Sequence, residues 1–208
     1  MEINDIISNI NVYGIENALR CSKYPMSTNV ETCTHTMTNT VKKLAQCKLG
    51  TGHDNFLNGI IVQFDLTFTV KAWTEMERYH FIDFISSQST MHRITGFNLD
   101  EAYVKYVDPR MVAVMKEKVT KYNEFDNEFE PRCIGTQKQL AEEKKELYLE
   151  ILYSNPCGMK LTAGMTTNYR QLKTIYEQRK THRLPEWRVF CDWIKTLPYS
   201  ELIIGENE

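Results

Sequence analysis

The residues best equipped for chemistry fall in three short stretches: Gly52-His53, the run QSTMHRI at 88–94 leading into Asn98, and the run TTNYRQLKTIYEQR at 166–179. A histidine on a glycine turn offers an imidazole to a ligand or serves the loop itself. Gln88, His92, Arg93 and Asn98 carry the donors that a heterocycle and its phosphates need; the same groups would also cap a preceding helix. In the third stretch Asn168 and Arg179 stand eleven positions apart, with Leu172 and Ile175 between them. On a helix that spacing leaves the two polar heads about 20° apart around the axis, at the ends of one apolar stripe. Such a helix either turns its inner face to a bound anion or cofactor, or buries the stripe while the Arg stem reaches past it to water.

Elements able to position these groups are legible to different degrees. The run INDIISNINVY reads as a first strand ending near Gly14. The Thr-rich stretch 32–50 reads as a helix closing at Gly50, although Thr is a mediocre helix former. Residues 60–70, IIVQFDLTFTV, alternate apolar and polar side chains and make the clearest strand. A helix over 74–88 follows, with Thr74 and Glu77 in capping-box spacing. Pro109 acts as a break before a short helix over 111–122. An acidic, exposed loop is expected over 123–136, then an amphipathic helix over 137–153 with Leu140, Lys144, Leu147, Tyr148 and Ile151 on one side. After the turn SNPCG comes the helix of the third stretch, ended by Leu184-Pro185. Pro185 opens a last helix whose face carries Trp187, Phe190, Trp193, Ile194 and Leu197. Together these describe one α+β domain over 1–208, a central, mostly antiparallel sheet flanked by helices.

Composition narrows the function classes. A chain of 208 residues with 42% hydrophobic and 25% charged residues is an ordinary globular protein. A formal charge of −2 gives no global bias toward nucleic acid or membrane. The basic run RQLKTIYEQRKTHR is of a kind common on ordinary protein surfaces. The six cysteines are scattered, with no CxxC pair, so reduced thiols, a cytoplasmic location and no metal site are expected. There is no signal-peptide pattern and no apolar run of membrane-spanning length.

No GxGxxG, Walker A, GxSxG or HExxH motif is present. In order and chain position, however, the three stretches resemble the flavin-dependent thymidylate synthases. That family has a Gly-His shortly before a TFxVKA-like strand end; here GH stands at 52–53 and TFTVKA at 67–72. Its loop RHRxxSxNExSxRY, preceded by Gln, is matched by QSTMHRITGFNLDEAYVKY. Its late TxNxRxLxxxxxxR is matched by TTNYRQLKTIYEQR.

The resemblance implies a homotetramer that reduces bound FAD with NADPH and methylates dUMP from methylenetetrahydrofolate. It implies that His53, His92, Arg93, Asn98 and Asn168 contact FAD, and that Gln88 and Arg179 contact dUMP. Arg179 would be catalytic, polarising the uracil ring where negative charge develops. The loop departs from the motif at Met91, Gly96 and Leu99, and at Glu101 and Tyr103 when read without gaps. With a two-residue insertion, Lys105-Tyr106 takes the place of the final Arg-Tyr, and Lys105 offers the substrate a charge without the bidentate fork. Leu152 stands where a phosphate-binding Arg is expected, and additional residues separate TFTVKA from the loop. Two readings remain open: a divergent enzyme of this type acting on a pyrimidine nucleotide, or an inactive relative serving as a nucleotide- or flavin-binding or protein-interaction module.

Overall fold

In a computed structural model, residues 1–48, 50–128 and 134–205 are described. In chain order the strands and helices are β1 (Ile7–Tyr13), α1 (Ile15–Cys21), α2 (Asn39–Ala45), β2 (Ile61–Thr69), α3 (Val70–Met76), β3 (Ile82–Ser87), α4 (Thr90–Arg93), α5 (Pro109–Glu128), α6 (Ile134–Ser154), β4 (Lys160–Asn168), α7 (Tyr169–Arg179), α8 (Pro185–Ile194) and α9 (Glu201–Ile204). The chain divides into two compact units. The first comprises Met1–Thr67, Glu75–Ser87 and Thr162–Glu208, the second Phe68–Thr74 and Gln88–Leu161.

The sheet has the order β1-β2-β4-β3. β1 pairs antiparallel with β2, from Ile7 opposite Leu66 to Tyr13 opposite Ile61, with a register shift between Ser8 and Asn11. Asn9 takes φ of 52° at that shift, a conformation Asn tolerates better than most residues. β3 pairs antiparallel with β4. The hydroxyls of Thr67 and Thr162 meet at 2.7 Å, and Tyr169 N donates to Ile60 O at 3.1 Å, so β2 and β4 also run antiparallel. The α+β expectation, with its antiparallel sheet, is met.

The period of two in β2 is a burial pattern. Val62, Phe64 and Leu66 are buried while Gln63, Asp65 and Thr67 are half-buried. The ring of Phe64 lies 5.9 Å from Phe190 and 4.6 Å from Trp193, both on the buried face of α8. Burying each such side chain is worth roughly 1.5–3 kcal/mol. Pro185 occupies the first turn of α8, where its missing N–H costs nothing. Gly14 caps α1 at φ of 80°, and a Cβ there would stand 2.3 Å from Gly59 O. Only glycine meets both conditions.

The second unit is organised around Ile94, Leu99, Ala102, Met115, Val119, Ile151 and Met159. α5 and α6 are joined by the Lys118–Glu150 ion pair at 2.8 Å and by Tyr122 and Tyr148, whose rings lie 5.1 Å apart.

Several boundaries differ from the sequence expectation. The Thr-rich stretch is helical only over α2; Thr38 caps it, accepting from Val41 N at 3.3 Å, and the β-branched residues before it are irregular. The helix expected over 74–88 is absent. α3 ends at Met76 and IDFISS forms β3, because its β-branched and aromatic residues pair along β4. Thr74 does not cap a helix: its hydroxyl donates to Lys71 O, whereas the hydroxyl of Thr69 accepts from Ala72 N. The helix expected from residue 166 to Leu184-Pro185 begins only at Tyr169; the residues before it complete β4, an unanticipated strand, as α1 is an unanticipated helix. Pro109 stands at the start of the next helix, as expected, but that helix, α5, runs on to Glu128 and not to 122. The loop expected over 123–136 is therefore helical at both ends, and its centre, 129–133 with Cys133, lies outside the described residues. Among the described residues no helix is long and apolar enough to cross a membrane.

Candidate functional site

A dense polar arrangement in the first unit surrounds Arg179, the last residue of α7. Its side chain is 12% exposed. Nε donates to the Tyr79 hydroxyl at 2.8 Å and Nη1 to Glu75 Oε2 at 3.0 Å. The guanidinium lies 4.8 Å from the centre of the Trp187 ring and 5.5 Å from that of Tyr79. His182 Nε2 approaches the same Glu75 oxygen at 3.1 Å. The Tyr79 hydroxyl passes its own proton toward Gln178 Oε1 at 3.0 Å. Burial raises the pKa of that hydroxyl, and the hydrogen bond from Arg179 pulls the other way. Aromatic faces, a carboxylate and a phenol thus hold this cation in one orientation.

A pocket of about 360 Å³ opens beside it. One wall is the link between α3 and β3, with Arg78, Tyr79, His80 and Phe81. The other is one face of α7, with Gln171, Thr174, Gln178 and Arg179. Thr167 Oγ1 donates to Phe81 O at 2.7 Å and pins that link to β4, while the Phe81 ring remains 66% exposed. The lining offers two guanidiniums, an imidazole and two carboxamides, and no carboxylate. Such a wall suits an anion bearing a flat polar group.

At the other end of α7, Asn168 is the N-cap: its Oδ1 accepts from Gln171 N at 2.9 Å. Asn168 therefore stands at the strand–helix junction, not on the face that bears Leu172 and Ile175, both fully buried. The same helix anchors the His53 loop. Asp54, fully buried, accepts from Arg170 Nε at 3.0 Å and from Lys173 Nζ at 2.9 Å. Lys173 also donates to Ala45 O at 2.6 Å and Cys47 O at 2.8 Å. His53 itself is exposed beside this buried charge network.

The other sequence-predicted residues belong to the second unit. Gln88 is exposed between β3 and α4, and His92 and Arg93 are exposed on the last turn of α4. Asn98 Oδ1 accepts from Asp100 N at 3.2 Å, forming a turn, and exposed Lys105 lies over the Tyr106 ring at 5.3 Å. The motif departures have local explanations. Leu99 is a core residue of this unit, and Tyr103 and Leu152 pack against that core. Burial pushes the Tyr103 hydroxyl up to about 12 while it donates to Asn155 Oδ1 at 2.8 Å.

Sequence reasoning missed Glu75, Tyr79 and His182 around Arg179, and Asp54 and Lys173 beneath His53. Glu75 and Tyr79 were hidden by the helix expected through 74–88. Asp54, adjacent to the Gly52-His53 pair, carried no spacing signal toward residues more than a hundred positions away.

No protein-family model and no curated protein sequence matches this chain. Its fold is similar to the flavin-dependent thymidylate synthase ThyX from Helicobacter pylori complexed with FAD and dUMP, with a TM-score of 0.67 and 13% identity over 100% of this chain and 99% of that chain. A second structure of ThyX from the same organism, also with FAD and dUMP, aligns with a TM-score of 0.65 and 12% identity over 96% and 98% of the two chains. Identity at this level shows a shared fold.

Proposed function

We propose that this protein, taken as one functional domain over 1–208, is a flavin-dependent enzyme of the thymidylate synthase type. Its reaction would be the reductive methylation of dUMP or a related pyrimidine nucleotide, with methylenetetrahydrofolate and NADPH as co-substrates. The observation that supports this reading is a fold shared along the whole chain with a protein complexed with FAD and dUMP. The matching Gly-His, His-Arg and Asn/Arg residues of the sequence support it independently.

The donor chemistry fits FAD. His53, His92 and Arg93 are exposed, and their side chains make no hydrogen bond or ion pair among the described residues. They would serve the dinucleotide's phosphates and ring edge. Asn98 and Asn168 spend their carbonyl oxygens on caps and keep their amide N–H groups for a ligand. Bound flavin supplies hydride-transfer chemistry. On the nucleotide side, Gln88, Lys105 and Arg179 would contact dUMP. Arg179 uses Nε and Nη1 within the protein, and its remaining N–H groups would meet a uracil oxygen as negative charge builds there. By the same resemblance the working protein is a homotetramer.

A second reading is an inactive relative that binds flavin or nucleotide without turnover. It is favoured by Leu99, Tyr103 and Leu152, which pack in or against a hydrophobic cluster where ligand-binding side chains would be expected. The test is proton release from uracil C5 when the purified protein is given FAD, dUMP, methylenetetrahydrofolate and NADPH. Release dependent on all components supports the enzyme. Ligand binding without release supports the inactive relative.

A further inference from the structure

We propose that Cys21 and Cys33 form a peroxide-oxidised dithiol pair whose disulfide ties the loop 22–32 across its own base. The loop leaves the end of α1 at Cys21 and returns at Cys33, which follows the 3-10 turn Val30–Thr32. Such a pair needs neither flavin nor nucleotide.

One cation and one phenol bring the two thiols together. The guanidinium of Arg20 lies 5.3 Å from the centre of the Tyr24 ring and donates from Nη2 to Val30 O at 3.3 Å. Cys33 N donates to that same carbonyl at 3.2 Å, so Cys33 and Arg20 share one acceptor. On the other side, the Tyr24 hydroxyl donates to the Cys21 sulfur, whose own proton points to Asn17 Oδ1 at 3.8 Å. That bond to Cys21 is the first cause holding the Tyr24 hydroxyl above its ordinary pKa, and the Cys33 sulfur adds to it electrostatically. Both sulfurs thus act on one oxygen. Lys23 ties the base of the loop further out, donating to Thr34 O at 2.6 Å, Thr34 Oγ1 at 2.8 Å and Thr36 O at 2.9 Å. The two ends of the loop are therefore joined at residues 20 and 30 and again at 23 and 34, with the cysteines between these ties.

Both thiols are free and half-buried, within reach of a small oxidant. Cys191 is buried, and Cys47 accepts from Thr51 Oγ1 at 3.1 Å within its own turn. Cys21 ends a helix and Cys33 has extended backbone after a single turn, so closure to disulfide geometry shifts only loop residues. Residues 25, 26 and 28–32 are exposed and can give without disturbing the core. In the first step one thiolate attacks the peroxide, the O–O bond breaks, and sulfenic acid and hydroxide form. The partner thiol then attacks that sulfur; the S–S bond forms, and the sulfenic oxygen leaves with the thiol proton as water. Two thiols and one peroxide become one disulfide and two waters, the sulfurs losing the two electrons that the peroxide gains.

The experiment treats the full chain, fully reduced, with a few equivalents of hydrogen peroxide, blocks the remaining thiols with N-ethylmaleimide and maps the unreduced tryptic peptides by mass spectrometry. Trypsin cuts after Arg20, Lys23 and Lys42, so the linkage joins peptide 21–23 to peptide 24–42. The expected product is this joined pair, lighter than the two peptides by two hydrogens and lost on treatment with dithiothreitol. Cys21→Ser and Cys33→Ser should each lack it, with thermal unfolding checking that both variants fold. In the variant that keeps the attacked thiol, dimedone should trap a sulfenic acid that the parent does not accumulate. Oxidation should also raise the urea midpoint of the parent, a shift absent from both variants. Thiols at 21 and 33 that stay open to alkylation, or pass to sulfinic acid unlinked, would overturn the pair. So would linkage of either one to Cys157 or to a second chain in preference. A 21–33 linkage that leaves the urea midpoint unmoved would overturn the tie across the loop.

Discussion

Oε2 of Glu75 lies 3.0 Å from Nη1 of Arg179, and each side chain is 12% exposed. The cation proposed to polarise a bound ring is thus held by a carboxylate in a setting that screens poorly. This pair aligns Arg179 and at the same time lowers its pull on an incoming anion.

Glu75→Gln should separate those two effects. The amide still accepts a hydrogen bond but carries no charge, so dUMP affinity should rise severalfold, while stability should fall by about 1–3 kcal/mol. Calorimetric titration and thermal unfolding read the two quantities. Unchanged affinity would mean that Arg179 does not face the ligand.

Arg179→Lys should lower dUMP affinity at least about tenfold, because a point charge cannot hold Tyr79 and Glu75 while also reaching a ligand. Folding stability should change by less, about 1 kcal/mol. If this variant unfolded easily yet bound dUMP normally, Arg179 would be a structural residue and not a ligand.

Asp54→Ala leaves the buried Lys173 ammonium without its counter-ion. Breaking such a pair from one side costs about 3–5 kcal/mol, which urea denaturation measures directly. A loss below about 1 kcal/mol would show that the carbonyls of Ala45 and Cys47 suffice to hold Lys173.

Burial pushes the Cys191 thiol from 9.0 up to about 12. A folded-state pKa above the unfolded value contributes stability that is complete below pH 9 and lost as pH climbs toward 12. Urea midpoints should therefore fall over that range, and Cys191→Ala should flatten part of the decline. Tyr103, also raised to about 12, and Tyr169 and Tyr79, raised by burial as well, contribute to the remainder. In native protein near neutral pH, iodoacetamide should label exposed Cys157 and leave Cys191 unmodified.

The sequence was most readable where one face of an element is buried and the other wet. β2 shows this in Val62, Phe64 and Leu66, and α8 in Trp187, Phe190 and Trp193. β3 lacks that contrast, and β4 has it in burial, at Ala163, Met165 and Thr167, but not in residue type. β3 exposes Phe84 and Ile85 alike, and β4 is rich in Thr, Ala and Gly. Missing these strands also obscured the pocket, because the link bearing Arg78 and His80 was assigned to the middle of a helix. Asn168 and Arg179 were recognised as a pair, but the helical geometry assumed for them fails: one caps α7 and the other ends it. Partners such as Glu75 for Arg179, or Asp54 for Lys173, are set by tertiary packing and leave no local pattern.

The most direct measurement is the visible absorption spectrum of the purified protein after incubation with FAD and removal of the excess. The account predicts a retained flavin band, weakened in His92→Ala and Arg93→Ala at unchanged thermal stability. A colourless protein that ignores FAD would contradict it, leaving a shared fold without the cofactor.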